Sequence, residues 1–219
     1  MRIHKEGYTT LLVIFLAIIA TLTAIWLSIP FKWFNGILSF IFLLFYLFII
    51  RFFRDPERKP NKRDDEIISP ADGLVVSVTD HYESEYYKDK RKKIAIFMSG
   101  HDVHINWTPI AGNISYHVYY PGKHLFARNH KSSELNERTN IVISDDKKRT
   151  LLMRQIAGVM ARRVVSRLKT GQQVEQCEEF GFIKLGSRVE LFLPTNAEIL
   201  VKPGQKVVGR QTPLAKWAD

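Results

Sequence analysis

Hydrophobic residues are concentrated in two uninterrupted runs at the start of the chain. The runs from Thr9 to Ile29 and from Phe34 to Ile50 contain no charged side chain. Each approaches the roughly 20 residues that a helix needs to cross a bilayer. The first run is too long for the apolar region of a secretory signal, which has roughly 7–15 residues. We therefore predict a membrane hairpin over residues 1–58, with transmembrane spans at about 9–29 and 34–53.

The pattern changes after the hairpin. A polar stretch with two prolines, Asp55 to Asp65, cannot easily continue a helix and is predicted to be a linker. From Ile67 onward, short runs of β-forming residues alternate with turn residues, and helical periodicity is weak. Units in which a glycine turn precedes a strand recur around Gly73, Gly112 and Gly158, and also at residues 170–174 and 202–207.

This recurrence predicts the fold class. Repeated turn-and-strand units are typical of a mostly β fold, here a small sandwich or barrel over residues 59–219. Such an arrangement is similar to the biotinyl and lipoyl carrier domains. A carrier needs a modifiable lysine at a hairpin tip, and the corresponding segment Ala157 to Arg163 offers arginines instead. A non-catalytic, membrane-anchored adaptor with this fold remains an alternative function.

Basic residues are concentrated at the two ends of the predicted hairpin, and only Lys32 lies in its turn. The basic residues at the ends are Arg2, Lys5, Arg51, Arg54, Arg58 and Lys59. Because basic flanks stay on the cytoplasmic side, both ends and the β domain are expected to face the cytoplasm, with the hairpin in the cell (inner) membrane.

The formal net charge of +10 falls mostly on the part after the hairpin. Its densest basic run, Lys88 to Lys93, fits either a solvated turn or a contact with anionic lipid. A basic surface also suits nucleic acid, but no nucleic-acid-binding motif accompanies it, so we predict no nucleic-acid partner.

The single cysteine, Cys177, excludes an internal disulfide and a cysteine-rich zinc site, and it is expected to be a small buried residue. No metal-ligand spacing occurs in the sequence, so no metal is expected.

The segment Leu185-Gly186-Ser187 lies between two apolar arms. Most Gly-Ser pairs only bend the chain. A specific chemistry is also open to this pair, because glycine permits a strained backbone in which the Ser187 hydroxyl can attack the preceding carbonyl. The resulting ester can then eliminate, which releases a chain that ends at Gly186 and converts residue 187 into a pyruvoyl group.

The same segment and several others resemble the blocks of the phosphatidylserine decarboxylase family, in its short, membrane-anchored prokaryotic branch. The similar segments are Phe53–Arg58, Ile68–Gly73, Phe97–Ser99, Asp102–Asn106, Pro109–Gly112, Pro121–Lys123, Asn136–Arg138 and Leu185–Ser187. They occur in the family's order and cover nearly all of the chain after the hairpin.

The resemblance implies a function for the chain and roles for three residues. Ser187 is implied to be the pyruvoyl precursor, with cleavage between Gly186 and Ser187 giving a large and a small chain. His104 is the implied general acid/base, and Asp72, otherwise a simple turn residue, is implied to assist self-cleavage. The implied reaction converts phosphatidylserine to phosphatidylethanolamine, with no diffusible cofactor and no metal. The oligomeric state stays open, a homo-oligomer included.

One position departs from the family pattern. Larger relatives carry a second histidine three residues after His104, where this chain has Trp107. The base for self-cleavage is therefore open between His101 and His104. A further group of basic residues could either form a polar loop or hold a lipid phosphate, and it consists of His117, Lys123, His124, Arg128 and His130.

Overall fold

A computed structural model describes residues 2–123, 125, 132–158, 163–184 and 186–218. The chain divides into two compact units, Met1–Glu57 and Arg58–Asp219.

The first unit is a helical hairpin. It contains α1 (Tyr8–Ser28) and α2 (Lys32–Phe52), a short 3-10 turn at Lys5–Gly7, and strand β1 (Arg2–Ile3), which pairs with β2 (Arg54–Asp55). Both helices are long and apolar enough to cross a bilayer, and most of their apolar side chains are exposed. The prediction of two apolar N-terminal helices is confirmed.

Polar side chains fasten the turn of this hairpin. The Asn35 side chain is buried, and its Nδ2 donates to the Ile29 carbonyl oxygen at 2.9 Å, just after α1 ends. Ser39 Oγ donates to the Asn35 carbonyl oxygen, and Trp26 Nε1 lies 3.3 Å from Ser39 Oγ. Backbone groups exposed to lipid are costly unless they are paired. These bonds therefore suit the end of a hairpin within an apolar environment.

The second unit is built almost entirely from strands. They are β3 (Glu66–Ile68), β4 (Gly73–Glu83), β5 (Asp89–Met98), β6 (Ile105–Trp107), β7 (Gly112–Tyr120), β8 (Arg138–Ser144), β9 (Thr150–Ile156), β10 (Val164–Ser166), β11 (Gln173–Val174), β12 (Glu179–Ile183), β13 (Ser187–Leu193), β14 (Glu198–Ile199), β15 (Lys206–Val207) and β16 (Pro213–Lys216). A four-residue helix, α3 (Ser132–Leu135), is the one helix among the described residues of this unit.

These strands form three antiparallel sheets. The largest has eight strands in the order β11-β7-β8-β9-β13-β5-β4-β15, and the smaller sheets have the orders β10-β12-β6 and β14-β16-β3. One hydrophobic core draws on all three sheets. The prediction of a mostly β fold is confirmed.

Strand β13 lies in the interior of the largest sheet and is buried along its whole length. Alternate side chains of a strand point to opposite faces. Val189 and Leu191 lie in the main core, whereas Phe192 packs in a second apolar cluster with Val142 and Leu152. Both faces of β13 are therefore covered by protein.

The glycine-turn units match strands in the structure. Gly73 and Gly112 begin β4 and β7, and the two later units lead into β11 and β15. The unit around Gly158 runs into residues 159–162, which lie outside the described residues. The basic run Lys88 to Lys93 is mostly not a turn, because β5 begins at Asp89, where its ladder with β4 starts.

Candidate active site

Ser187 is the first residue of β13 and is fully buried, with 0% of its surface exposed. Its ladder partner is Met98, the last residue of β5. Gly186 has φ +67, a left-handed conformation that side chains disfavour. The chain therefore turns sharply just before the serine, and Leu185 of the predicted motif lies outside the described residues.

The Ser187 hydroxyl donates to the thioether of Met98, with Oγ 3.3 Å from Sδ. A thioether is a weak acceptor, so the hydroxyl is held in place without a strong bond. Asn106 Nδ2 lies 3.8 Å from the same sulfur, and its Oδ1 accepts from Gln155 Nε2 at 2.8 Å. Sequence reasoning did not identify Met98, Asn106 or Gln155, because strands far apart in the chain bring them together.

His104 lies beside the segment that leads to Ser187. It is fully buried immediately before β6, and its carbonyl oxygen accepts from the amide of Ile183, the last residue of β12, at 3.1 Å. The His104 Nδ1 atom is 2.9 Å from the carbonyl oxygen of Asp102. Because a carbonyl only accepts, Nδ1 carries the hydrogen, and Nε2 is the basic atom of the neutral ring.

A tight turn after β5 holds the residue that orients His104. Asp102 Oδ2 accepts from both the backbone amide and the hydroxyl of Ser99, each at 2.7 Å, and the Asp102 amide donates to the Ser99 carbonyl oxygen. This arrangement fixes the Asp102 carbonyl against the imidazole. His101 lies in the same turn, but its side chain is exposed.

Asp72 is nearly buried in an ion pair with Arg58. The guanidinium binds both carboxylate oxygens, at 2.5 and 2.7 Å, and the Gly209 amide donates to Oδ1 at 2.8 Å. Arg58 also lies over the ring of Trp107, with its Cζ atom 5.6 Å from the ring centroid. Trp107 is therefore next to the partner of Asp72.

Ser187 and His104 lie at the starts of strands in different sheets, β13 and β6, and Asp72 binds other residues. Among the described residues, the hydrogen bonds and ion pairs of Asp72 go to Arg58 and Gly209, and none of them reaches Ser187 or His104. The Trp107 amide donates to the Pro70 carbonyl at 2.9 Å, which places the segment that carries Asp72 against β6.

A buried charge network lies on the other face of β13. Arg188 Nε and Glu190 Oε1 are 3.2 Å apart, and Ser133 Oγ donates to the same Glu190 oxygen at 2.8 Å. Arg154 approaches Glu190 at 3.9 Å and Glu83 at 3.3 Å. Burial lowers the pKa of the Arg188 guanidinium, while the Glu190 carboxylate opposes that shift. The network ties the residues that follow Ser187 to the rest of the sheet.

Two of the other candidate basic residues, His117 and Lys123, lie among the described residues. His117 is on β7 rather than in a loop, its Nε2 is 3.0 Å from Ser166 Oγ, and burial lowers its pKa. Lys123 is exposed, and His124, Arg128 and His130 lie outside the described residues. The expected burial of Cys177 is confirmed, and burial raises the pKa of its thiol.

The environment of Ser187 fits a pyruvoyl group. Cleavage of an ordinary peptide bond before residue 187 would leave a charged amine at a fully buried position, which is costly unless it is paired. A pyruvoyl group is uncharged and no larger than the serine it replaces. No cluster of three or more His, Cys, Asp or Glu side chains suited to a metal occurs among the residues described.

Comparisons with known proteins identify the family of the chain. A family model described as phosphatidylserine decarboxylase matches residues 45–215. A phosphatidylserine decarboxylase proenzyme of Amoebophilus asiaticus is 43% identical over 223 residues, covering 100% of this chain and 98% of the relative. The proenzyme of Cytophaga hutchinsonii is 41% identical over 218 residues, covering 99% of each chain, and that of Ehrlichia chaffeensis is 41% identical.

These matches confirm the resemblance inferred from the sequence motifs, and they do not favour the adaptor alternative. The chain belongs to the phosphatidylserine decarboxylase family of carboxy-lyases.

Proposed function

We propose that this chain is a membrane-anchored proenzyme that converts itself to a pyruvoyl enzyme and decarboxylates phosphatidylserine to phosphatidylethanolamine. The observation that carries the proposal is Ser187, fully buried at the start of β13 directly after a left-handed glycine, in a chain whose relatives are named proenzymes. The adaptor alternative would need neither feature.

Self-cleavage is proposed to begin at the Gly186 carbonyl. The Ser187 oxygen adds to the carbonyl carbon, the C–N bond breaks, and the proton passes to the released amine, so the peptide becomes an ester. Loss of the Cα proton of residue 187 then breaks the Cβ–Oγ bond, and the large chain leaves with a carboxylate at Gly186. Water then hydrolyses the dehydroalanine. Its nitrogen leaves as ammonia, and the pyruvoyl group remains on the small chain.

Residues of this chain would hold the pyruvoyl group and manage the proton in decarboxylation. The group itself supplies a carbonyl that accepts the electrons left when CO2 departs. His104 is proposed to return a proton to the substrate carbon, supported by its position beside the strand end at Ile183. The Asp102 carbonyl keeps Nε2 as the atom that exchanges the proton.

The base for self-cleavage is proposed to be His104 rather than His101. His104 is buried at the strand end nearest the connection to Ser187, whereas His101 lies on an exposed turn. Asp72 is proposed to assist cleavage indirectly, by fixing the chain beside β6 through Arg58 and Trp107. Its ion pair with Arg58, which lies over the Trp107 ring, supports this proposal.

The anchor and the assembly are part of the same proposal. The hairpin would sit in the inner membrane with the β domain on the cytoplasmic side, where the phospholipid head groups are reached. The mature enzyme would consist of residues 1–186 and 187–219 held together by the sheet, and a homo-oligomer is compatible with it. The likeness of the β domain to biotinyl and lipoyl folds, over residues 59–219, is proposed on its glycine-turn strands.

Intact mass of the purified full-length protein tests the proposal. The expected result is two chains, a large one ending at Gly186 and a small one that begins with a pyruvoyl-blocked residue 187. Ser187→Ala should stay uncut and inactive, while Ser115→Ala, which changes an exposed serine on β7, should split and turn over phosphatidylserine normally. An active protein made of one uncut chain would refute the mechanism.

A further inference from the structure

Two hydrogen-bond donors converge on the sulfur of Met98. One is the Ser187 hydroxyl at 3.3 Å, and the other is the side-chain amide of Asn106 at 3.8 Å. A thioether sulfur accepts weakly, so neither donor is well satisfied by it. The Asn106 amide and the Ser187 hydroxyl, which carries the reacting oxygen, therefore lie against the same sulfur atom.

The orientation of Asn106 is set by its neighbours. Its Oδ1 accepts from Gln155 Nε2 at 2.8 Å, so the nitrogen of the carboxamide is turned the other way, toward Met98. Gly181, the ladder partner of Asn106, makes room for this bond, because a Cβ there would lie 3.0 Å from Gln155 Nε2 and 2.3 Å from a carbonyl oxygen of β10.

Polar atoms of this cluster are left poorly paired at a fully buried position. Asn106 and Gln155 are both 0% exposed. Besides the Met98 sulfur, the Asn106 nitrogen reaches the carbonyl of its own neighbour, Ile105, at 3.3 Å. Among the described residues, Gln155 Oε1 has no hydrogen-bond partner. Leaving such groups unsatisfied typically costs about 1–3 kcal/mol each, so a buried cluster of this kind calls for a functional reason.

We infer that the Asn106 side-chain amide donates a hydrogen bond to Ser187 Oγ during self-cleavage. The inference rests on the proposed function and assigns a residue to one of its steps. In the elimination step the Cα proton of residue 187 goes to a base, the electron pair forms the Cα–Cβ double bond, and Oγ departs as part of the Gly186 carboxylate. Negative charge thus develops on Oγ, and a fixed amide donor stabilises it.

The same geometry explains why the donor is Asn106 rather than a charged group. A neutral carboxamide can be buried with an uncharged ester and needs no counter-ion, whereas a buried lysine would also compete as an amine. Gln155 is a positioning residue, since it acts by turning the Asn106 amide. Met98 holds the hydroxyl before the reaction and, as a weak acceptor, releases it readily.

Hydroxylamine trapping can test this assignment without measuring decarboxylation. Full-length chains are made by cell-free synthesis in lipid vesicles, and splitting is followed over time by mass spectrometry, with and without neutral hydroxylamine. Hydroxylamine attacks the ester carbonyl of Gly186, which gives a large chain with a C-terminal hydroxamate and a small chain that begins with unmodified Ser187. The variants are Asn106→Leu and Asn106→Asp. The control is Asn113→Leu, which removes an asparagine side chain that donates to the Gly171 carbonyl oxygen in the turn before β11.

The inference predicts that both Asn106 variants split spontaneously about 10²-fold more slowly than the unmodified chain, the effect typical of losing one such donor. Both should nevertheless split at residue 187 when hydroxylamine is present, because the ester still forms. Asn113→Leu should behave as the unmodified chain does. Asn106→Asp keeps the size of the side chain and replaces the donating nitrogen by an oxygen, so it also covers the case in which Asn106→Leu does not fold.

Two results would overturn the inference. Splitting at the normal rate by the Asn106→Leu chain, or by the Asn106→Asp chain at a pH where its carboxyl is ionised, would show that no donor is needed there. Resistance of both variants to hydroxylamine, as expected of Ser187→Ala, would place Asn106 before the ester or give it a purely structural role. Failure of the proposed function is distinguishable, since then the unmodified chain itself would remain uncut.

Discussion

Replacing Glu190 by glutamine should destabilise the β domain while leaving its shape unchanged. Glu190 is 1% exposed on β13, and its carboxylate is 3.2 Å from Arg188 Nε and 3.9 Å from an Arg154 nitrogen. Glutamine fills the same volume and can still accept from Ser133. What the substitution removes is the negative charge that compensates two buried guanidinium groups.

The size of the effect follows from which partners remain. Removing one member of a buried ion pair typically costs about 3–5 kcal/mol. Arg154 keeps two other carboxylate partners, Glu83 at 3.3 Å and Glu85 at 3.5 Å. Only Arg188 therefore loses its main charged partner, and the lower figure of about 3 kcal/mol applies. For a domain of this size each kcal/mol shifts the Tm by about 2–4 °C, so the expected fall in Tm is about 6–12 °C.

Thermal unfolding of the detergent-solubilised, full-length protein measures this shift. The matched control is Glu198→Gln, which changes an exposed glutamate on β14 and should leave the Tm unchanged. A double variant, Arg188→Met with Glu190→Leu, should lose less stability than Glu190→Gln, because replacing a whole buried pair by apolar residues is often nearly neutral.

A Tm for Glu190→Gln that matches the control would refute this reasoning, since it would mean that the charge on Glu190 contributes nothing net. A double variant less stable than the single one would show that Arg188 is held chiefly by Ser132 and Ser133 rather than by the carboxylate.

Three further predictions concern the steps of the chemistry and the pH dependence of stability. His104→Ala should split more slowly than the unmodified chain, because His104 is the proposed base for self-cleavage, and the fraction that splits should turn over phosphatidylserine at least about 10²-fold more slowly. Asp72→Asn should also split more slowly. Gel time courses measure splitting and product assays measure turnover, and a normally splitting Asp72→Asn chain would remove Asp72 from the mechanism. Burial lowers the pKa of His117 in the folded state, so the unfolded chain takes up its proton first and stability is lost as pH falls below the ordinary histidine value. His117→Gln should therefore lose less Tm than the unmodified chain between about pH 7 and about pH 5, and equal losses would exclude that origin.

The helices and the general class of the β domain follow directly from the sequence. Two long apolar runs have few alternatives to α1 and α2, and a glycine before a β-forming run locates the start of β4 and β7 at Gly73 and Gly112. These signals are local, so no knowledge of distant contacts is needed.

The buried charges on β13 could not be predicted in the same way. The alternation of Arg188 and Glu190 with Val189 and Leu191 is typical of a strand with one solvent-facing side. That side is buried instead, in part because Ser133 on α3 lies against it. Tertiary packing decides which segment covers a sheet face, and the local pattern of hydrophobic and polar residues does not reveal it.

The candidate site was predictable only where a motif marks it. Ser187, His104 and Asp72 belong to recognisable blocks, but the contacts between blocks are long-range. The Ser187–Met98 bond joins residues 89 positions apart, and the Gln155–Asn106 bond joins residues 49 apart. The ion pair of Asp72 with Arg58 likewise depends on how the linker folds back, which the sequence does not specify.

The interior position of β13 has a consequence for when the protein can fold. Without this strand the largest sheet would fall into two pieces, β11-β7-β8-β9 and β5-β4-β15, each with a bare edge prone to aggregation. A chain cut before Ser187 therefore has to fold while it is still whole. If the two fragments were cut and then denatured, refolding would require β13 to insert between β9 and β5 as a separate chain. The cut protein would therefore unfold irreversibly, and its lifetime would depend on its rate of unfolding.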